Sequence, residues 1–133
     1  MAFTLYTDAG LTTALSGNII IDAASEDVPL WLGSSTSGVK IQSATGTGVT
    51  NISISFTDSA TGTAPASTIC KLATTTGGLA TASGGAALTV GTQVLGGVGN
   101  AFAFYLRVAN PLTGVDSDTT LGLTTSNVIE STV

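Results

Sequence analysis

Residues Thr50–Thr57 read TNISISFT, and this stretch decides the fold class. Its two isoleucines and its phenylalanine occupy every second position, and Asn and Ser residues fill the positions between them. A period of two is typical of a β-strand with one face in a core and one face in water. Residues Ala101–Val108, AFAFYLRV, repeat the pattern with Phe102, Phe104 and Leu106 on one face. These two stretches are the strongest strand predictions in the sequence.

Shorter runs of the same kind predict eight further strands, separated by glycine-rich turns. They are Phe3–Thr7, Asn18–Asp22, Val28–Gly33, Val39–Gln42, Thr68–Ala73, Ala87–Val90, Thr119–Thr124 and Asn127–Thr132. The best helical candidate, Ala66–Ala73, lies among Thr and Gly residues that favour one or two turns at most. The sequence therefore predicts an all-β, single-domain β-sandwich over residues 1–133 with less than about a tenth of the chain in helix. Ig-like and jelly-roll topologies both remain open.

Composition excludes several kinds of chemistry. The 133 residues include no His, one Cys, three Lys or Arg and eight Asp or Glu, with a formal net charge of -5. Catalysis by His, a disulfide framework and a thiolate zinc cluster are therefore impossible. Three scattered cations cannot neutralise a row of phosphates, so nucleic acid and anionic membranes are poor partners. We expect no enzyme and no cofactor.

A few residues could hold a cation. Asp116 and Asp118, and separately Asp22, Glu26 and Asp27, offer carboxylates to a hard ion such as Ca²⁺. Neither group has the spacing of an EF-hand, and solvated turns capped by Asp side chains explain both. We therefore predict no metal site.

Two other features have simple structural interpretations. Gly96–Gly99 and Gly46–Gly48 lack the Lys and the following helix of a phosphate-binding loop, so they predict turns. Cys70 has no His to activate it and is expected to be a small buried residue.

The longest uncharged stretch is Leu72–Leu106, and its second half, AALTVGTQVLGGVGNAFAFYL at 86–106, raises the question of a membrane segment. Its Thr, Gln and Asn residues and its glycine break favour two strands around a turn over a spanning helix. Residues Met1–Gly10 also lack the basic and apolar regions of a secretory signal.

The candidate interface residues are apolar or aromatic. Phe3, Leu5 and Tyr6 lie at a terminus that would fray in a free monomer, so residues 1–7 are predicted to be tied down. Pairing with the sheet edge of a neighbour and pairing within the chain's own sheet both remain open. Trp31 alternates with Leu30 and Leu32, which places it on the outer face of its strand as a contact residue.

The sequence also resembles a known group of proteins. The opening MAFTLYTDAGLTTALSG, the segment LATTTGGLATASGGAALTVGTQVLGG at 72–97 and the strand GNAFAFYLRV at 99–108 are similar in style to small accessory virion proteins of tailed bacteriophages. These are the head decoration or cement proteins and their relatives in tails and baseplates. The resemblance implies a β-sandwich or β-tulip that docks in many copies on the major capsid protein or another virion protein. It further implies a homo-oligomer located in the virion, which is assembled in the host cytoplasm.

The alternative function is an Ig-like binding module of a tail, baseplate or adhesin, including a carbohydrate-binding domain. Only 5% of the residues are aromatic, which argues against a sugar platform made of stacked rings.

Overall fold

The computed structural model of the chain describes residues 3–15, 26–58, 70–108 and 121–133. In these ranges the protein is all-β with antiparallel sheets and essentially no helix, which confirms the predicted fold class. The strands are β1 (Thr4–Tyr6), β2 (Glu26–Gly33), β3 (Val39–Ser43), β4 (Ile52–Asp58), β5 (Cys70–Ala73), β6 (Leu88–Gly91), β7 (Gln93–Leu95), β8 (Phe102–Val108), β9 (Leu121–Thr125) and β10 (Val128–Thr132). The predicted strand Asn18–Asp22 lies outside the described residues.

One layer is a four-stranded sheet in the order β1-β2-β8-β5. Its two long strands, β2 and β8, pair over seven residues from Glu26↔Val108 to Leu32↔Phe102. Side chains alternate across the sheet, so Leu30 and Leu32 of β2 face inward together with Phe104 and Leu106 of β8. This confirms the predicted alternation of β8 and the inward face of β2.

Two three-stranded sheets, β10-β3-β7 and β9-β4-β6, form the opposite layer. Each strand of one sheet leads into a strand of the other: β9 into β10 through Ser126 and Asn127, β6 into β7 through Thr92, and β3 into β4 through residues 44–51. The loop 44–51 turns at Gly46, whose carbonyl accepts hydrogen bonds from the backbone amides of Val49 and Thr50. Its φ of +63 favours glycine, and a Cβ at this position would collide with the side chain of Thr50.

The core lies between the two layers. Buried apolar residues come from both of them: Phe3, Leu5, Leu30, Leu32, Ile41, Ile52, Ile54, Cys70, Leu72, Val94, Phe104 and Leu106. Ile52 and Ile54 are fully buried, as the alternation of TNISISFT predicts, and Phe56 packs at the margin. The arrangement is sandwich-like.

One strand, β7, one short helix and one 3₁₀ turn were not predicted. A four-residue helix, α1 (Thr76–Leu79), follows β5, and a 3₁₀ turn at Val98–Asn100 precedes β8. The hydroxyl of Thr75 caps α1 by accepting from the Gly78 amide at 3.0 Å, and Leu79 is fully buried. Residues 86–106 hold β6, β7 and most of β8, one strand more than the two expected. No helix in the described part of the chain is long and apolar enough to cross a bilayer.

Candidate functional site

The N-terminal strand belongs to the chain's own sheet. β1 pairs with β2 from Thr4↔Gly33 to Tyr6↔Trp31. Its second edge is covered as well, because the Leu5 carbonyl accepts from the Leu15 amide at 2.8 Å and the Thr7 amide donates to the Thr13 carbonyl at 2.9 Å. This is the intramolecular pairing that the sequence left open for residues 1–7.

Burial follows from this pairing. Phe3 and Leu5 are each 8% exposed and pack in the core, and Tyr6 and Trp31 are partly exposed. The interface role of these four residues stays a prediction. The structure adds that Phe3 and Leu5 have little surface left to offer, and that this surface faces one cleft.

The cleft opens at the side of the sandwich where β1 faces β9 and β10. It has a volume of about 190 Å³. Apolar side chains of both layers line it together with three threonines: Phe3, Thr4, Leu5, Leu32, Ile41, Leu123, Thr124, Thr125 and Val128. We call this feature the edge cleft. None of its lining residues carries a charge, so its chemistry suits an apolar side chain.

A hydrogen-bonded turn follows β1, which forms one wall of the cleft. The carboxylate of Asp8 accepts from the Thr12 hydroxyl at 2.7 Å, from the Thr13 amide at 2.8 Å and from the Thr12 amide at 3.0 Å. The Thr12 hydroxyl is the largest of the causes that hold the pKa of Asp8 below its ordinary value. Leu11, which lies between Asp8 and Thr12 in the chain, is buried although its φ is +55. The carboxylate thereby fixes the turn that returns residues 13–15 to β1.

Trp31 lies on the outer face of the four-stranded sheet, as its alternation with the inward-facing Leu30 and Leu32 predicts. Register places it opposite Tyr6 on β1 and opposite Ala103 on β8. In the next row, Pro29 lies opposite Tyr105. We call these five residues the aromatic face.

An ion pair borders the aromatic face. Arg107 Nε donates to one oxygen of Asp27 at 2.7 Å and Nη2 donates to the other at 3.1 Å. The hydrogen bond to Arg107 lowers the pKa of Asp27, and the same bond raises the pKa of Arg107. Asp27, one of the candidate cation ligands, is therefore already paired with a guanidinium.

Four large apolar side chains in the described ranges are exposed. Val49 is 82% exposed, Val133 75%, Val98 48% and Ile129 44%. Val49 lies in the loop 44–51 and Val98 in the link between β7 and β8. Ile129 lies on β10, and Val133 just beyond it, at the edge of the sheet β10-β3-β7. Its three strands, VIEST, VKIQS and QVL, carry one Glu and one Lys, so their charges sum to zero. Such a surface is easy to desolvate.

The described residues include only some of the other candidate site residues. Asp22, Asp116 and Asp118 lie outside the described residues, and Glu26 begins β2. Within the described ranges, no group of three or more His, Cys, Asp or Glu residues could hold a metal. Cys70 is fully buried, as predicted, and Gly96–Gly99 forms the link between β7 and β8.

Comparison with known proteins identifies no relative: the chain matches no family model, no curated protein and no solved structure. The resemblance to phage accessory proteins therefore rests on the sequence segments quoted above. Among the described residues, the edge cleft and the aromatic face are the surfaces with distinct chemistry.

Proposed function

We propose that this chain is a non-enzymatic structural protein that docks on and stabilises a phage capsid lattice as a decoration or cement protein. The observation that carries the proposal is the edge cleft, an uncharged apolar opening between β1 and β9–β10. A sandwich whose layers meet closely at their edges has no such opening. An apolar side chain of a coat protein or of a neighbouring copy would fill it and gain hydrophobic burial.

The surroundings of the cleft support docking of a protein surface. Ile129, the residue after Val128 of the cleft, is exposed, and the exposed, hydroxyl-bearing Thr4 and Thr124 form part of the rim. Desolvating hydroxyls and methyl groups costs less than desolvating Lys or Glu side chains, so such a rim suits a large protein interface. Repeated copies on a lattice would add many weak contacts.

The alternative is an Ig-like binding module of a tail, a baseplate or an adhesin. The same cleft would then receive a tail or receptor protein. The aromatic face on the outer side of the four-stranded sheet favours this second function because partly exposed rings are common at recognition surfaces.

Immunogold electron microscopy of the particles that contain the chain tests the location. Antibodies against the chain should label heads at many equivalent positions. Label confined to tails or baseplates would support the alternative, and particles without any label would contradict both.

Substitutions at the rim test the surface. Thr124→Glu puts a charge at the mouth of the cleft, on an exposed residue of β9. Thr89→Glu puts the same charge on an exposed residue of β6, at the opposite edge of the same sheet. We expect Thr124→Glu to abolish co-sedimentation with particles that lack the chain and Thr89→Glu to leave it intact. Equal binding by both variants would contradict docking through the cleft.

A further inference from the structure

The aromatic residues of the chain divide between the core and one outer face. Phe3 and Phe104 are buried, and Phe56 and Phe102 pack against the core. The single Trp and both Tyr residues lie instead on the outer face of the four-stranded sheet and remain partly exposed. These rings carry a polar N–H or O–H group, which suits a surface that is apolar and wet at the same time.

Register brings the three rings together. Tyr6 and Trp31 are direct cross-strand neighbours, and Tyr105 is a diagonal neighbour of Trp31 because Trp31 pairs with Ala103. Diagonal pairs are within reach of aromatic side chains. Ala103 is exposed and small, so it leaves a shallow gap between the rings. Across β1, β2 and β8 the rings span two strand spacings, or about 10 Å.

Hydrogen-bonding groups lie one row further along the same face. Asp27 and Arg107 form their two-point ion pair there, and Lys71 of β5 is in register with Arg107. The face thus presents a strip of rings beside both acceptors and donors, with one carboxylate against two cations. An anionic polymer would meet Asp27 as well as the overall charge of -5.

We propose that the aromatic face binds carbohydrate. A pyranose ring has an apolar face of C–H groups that stacks on an aromatic ring and a rim of hydroxyls that needs donors and acceptors, and this face offers both side by side. The length of the ring strip suits a short oligosaccharide rather than one sugar. A second copy is a weaker fit, because an isologous contact through this face would desolvate two Arg–Asp pairs at once.

Trp31 is the only Trp in the chain, so its emission reports on this face alone. The full chain is first applied to a microarray of neutral and sialylated glycans. The best binder is then titrated in solution while the emission of Trp31 is followed. We expect a saturable change with at least one class of glycan, and the neutral and sialylated arms distinguish stacking alone from help by Lys71.

Variants distinguish binding at this site from nonspecific adsorption of glycans. Tyr105→Ala and Trp31→Ala should each weaken glycan binding, measured by calorimetry, by about tenfold or more. Gln93→Ala, on an exposed residue of the other layer, is the matched control and should bind as the parent does. Circular dichroism confirms that each variant keeps its strands.

Three outcomes would overturn the proposal. The first is an array on which no glycan binds, and the second is binding that survives both ring variants. The third is a dimer, seen by light scattering, that Tyr105→Ala dissociates in the absence of any glycan binding. None of these outcomes depends on the edge cleft.

Discussion

The two terminal strands of this protein are alike in topology and opposite in burial. β1 and β10 each pair antiparallel with one neighbouring strand, β1 with β2 and β10 with β3. Leu5 of β1 is 8% exposed, whereas four of the five residues of β10 are exposed and Ile129 is 44% exposed. Strand pairing alone therefore does not decide whether a terminus belongs to the core.

The difference in burial follows from the sequence of each strand and from the segment that covers the outer edge of β1. FTL places Phe3 and Leu5 on one face, and residues 13–15 fold back over the outer edge of β1. VIEST has two apolar residues at its start and polar ones after them, so its outer end has little to bury. The N-terminal strand should therefore carry stability, and the C-terminal strand should carry contacts with other molecules.

Deleting the terminal segments should give the largest effects. Loss of residues 1–7 removes the buried side chains of Phe3 and Leu5, each worth about 1.5–3 kcal/mol. Because a domain is stable by only about 5–15 kcal/mol, the truncated chain should melt far below the parent or fail to fold. Loss of residues 129–133 should lower the melting temperature only slightly. Differential scanning calorimetry measures both.

One outcome would reverse the comparison. A chain without residues 1–7 that folds with the parent's stability, but no longer binds particles, would make β1 a docking arm that reaches a neighbour. The chain without residues 129–133 would then be expected to bind normally.

Nine of the ten strands in the described ranges could be predicted because each has a local sequence pattern typical of a strand. The strong stretches Thr50–Thr57 and Ala101–Val108 correspond to β4 and β8 within two residues. β7 was missed because Gln93–Leu95 is too short to show a period, and α1 was missed because TGGL is a poor helix former. Its cap and the burial of Leu79 are tertiary effects.

The candidate sites were harder to predict. Parity alone places Trp31 on the outer face, but its meeting with Tyr6 and Tyr105 depends on the strand order β1-β2-β8, which no local pattern contains. The edge cleft likewise joins β1 to β9 and β10 across more than a hundred residues of chain. A count of aromatic residues argued against a sugar platform, yet the sheet collects the three polar rings on one face.

Point substitutions sharpen the comparison at single residues. Leu5→Ala should destabilise the fold by about 2–5 kcal/mol, since it leaves a cavity in the core. Ile129→Ala removes a side chain of similar size from a largely exposed position and should cost about 0.5 kcal/mol or less. Denaturant unfolding measures the pair. Equal shifts of the midpoint would mean that β10 is buried in solution, for example by self-association.

A smaller effect is expected where β9 turns into β10. The register of β4 shifts between Ile52 and Ser53, and the Ser53 amide donates instead to the hydroxyl of Ser126 at 3.1 Å. Ser126→Ala leaves that amide without its acceptor, at a cost of about 1 kcal/mol. Ser131→Ala, on an exposed residue of β10, should be neutral in the same urea titration. A neutral Ser126→Ala would mean that water replaces the hydroxyl.

The smallest effect concerns the turn that holds residues 13–15 against β1. The pKa of Asp8 is lowered in the folded state, chiefly by the Thr12 hydroxyl. A carboxyl with a lowered folded pKa stabilises the fold above its unfolded pKa of about 3.9, and that stability is lost as the pH falls through the folded pKa. The melting temperature should therefore decline below about pH 4, and Asp8→Asn should make the decline shallower. Asp27, whose pKa is also lowered, should account for part of the slope that remains.

Two threonine variants locate the cause of this decline. Thr12→Ala removes the hydroxyl donor and should raise the pKa of Asp8, as followed by NMR titration of its side-chain carboxyl carbon. Thr13→Ala is the matched control, because Thr13 bonds to Asp8 through its backbone amide, which the substitution keeps. An Asp8 that titrates identically in the two variants would show that the backbone amides alone hold the carboxylate. The melting temperature of Thr12→Ala should in that case decline with falling pH as the parent's does, because the amides of residues 12 and 13 still favour the charged carboxylate.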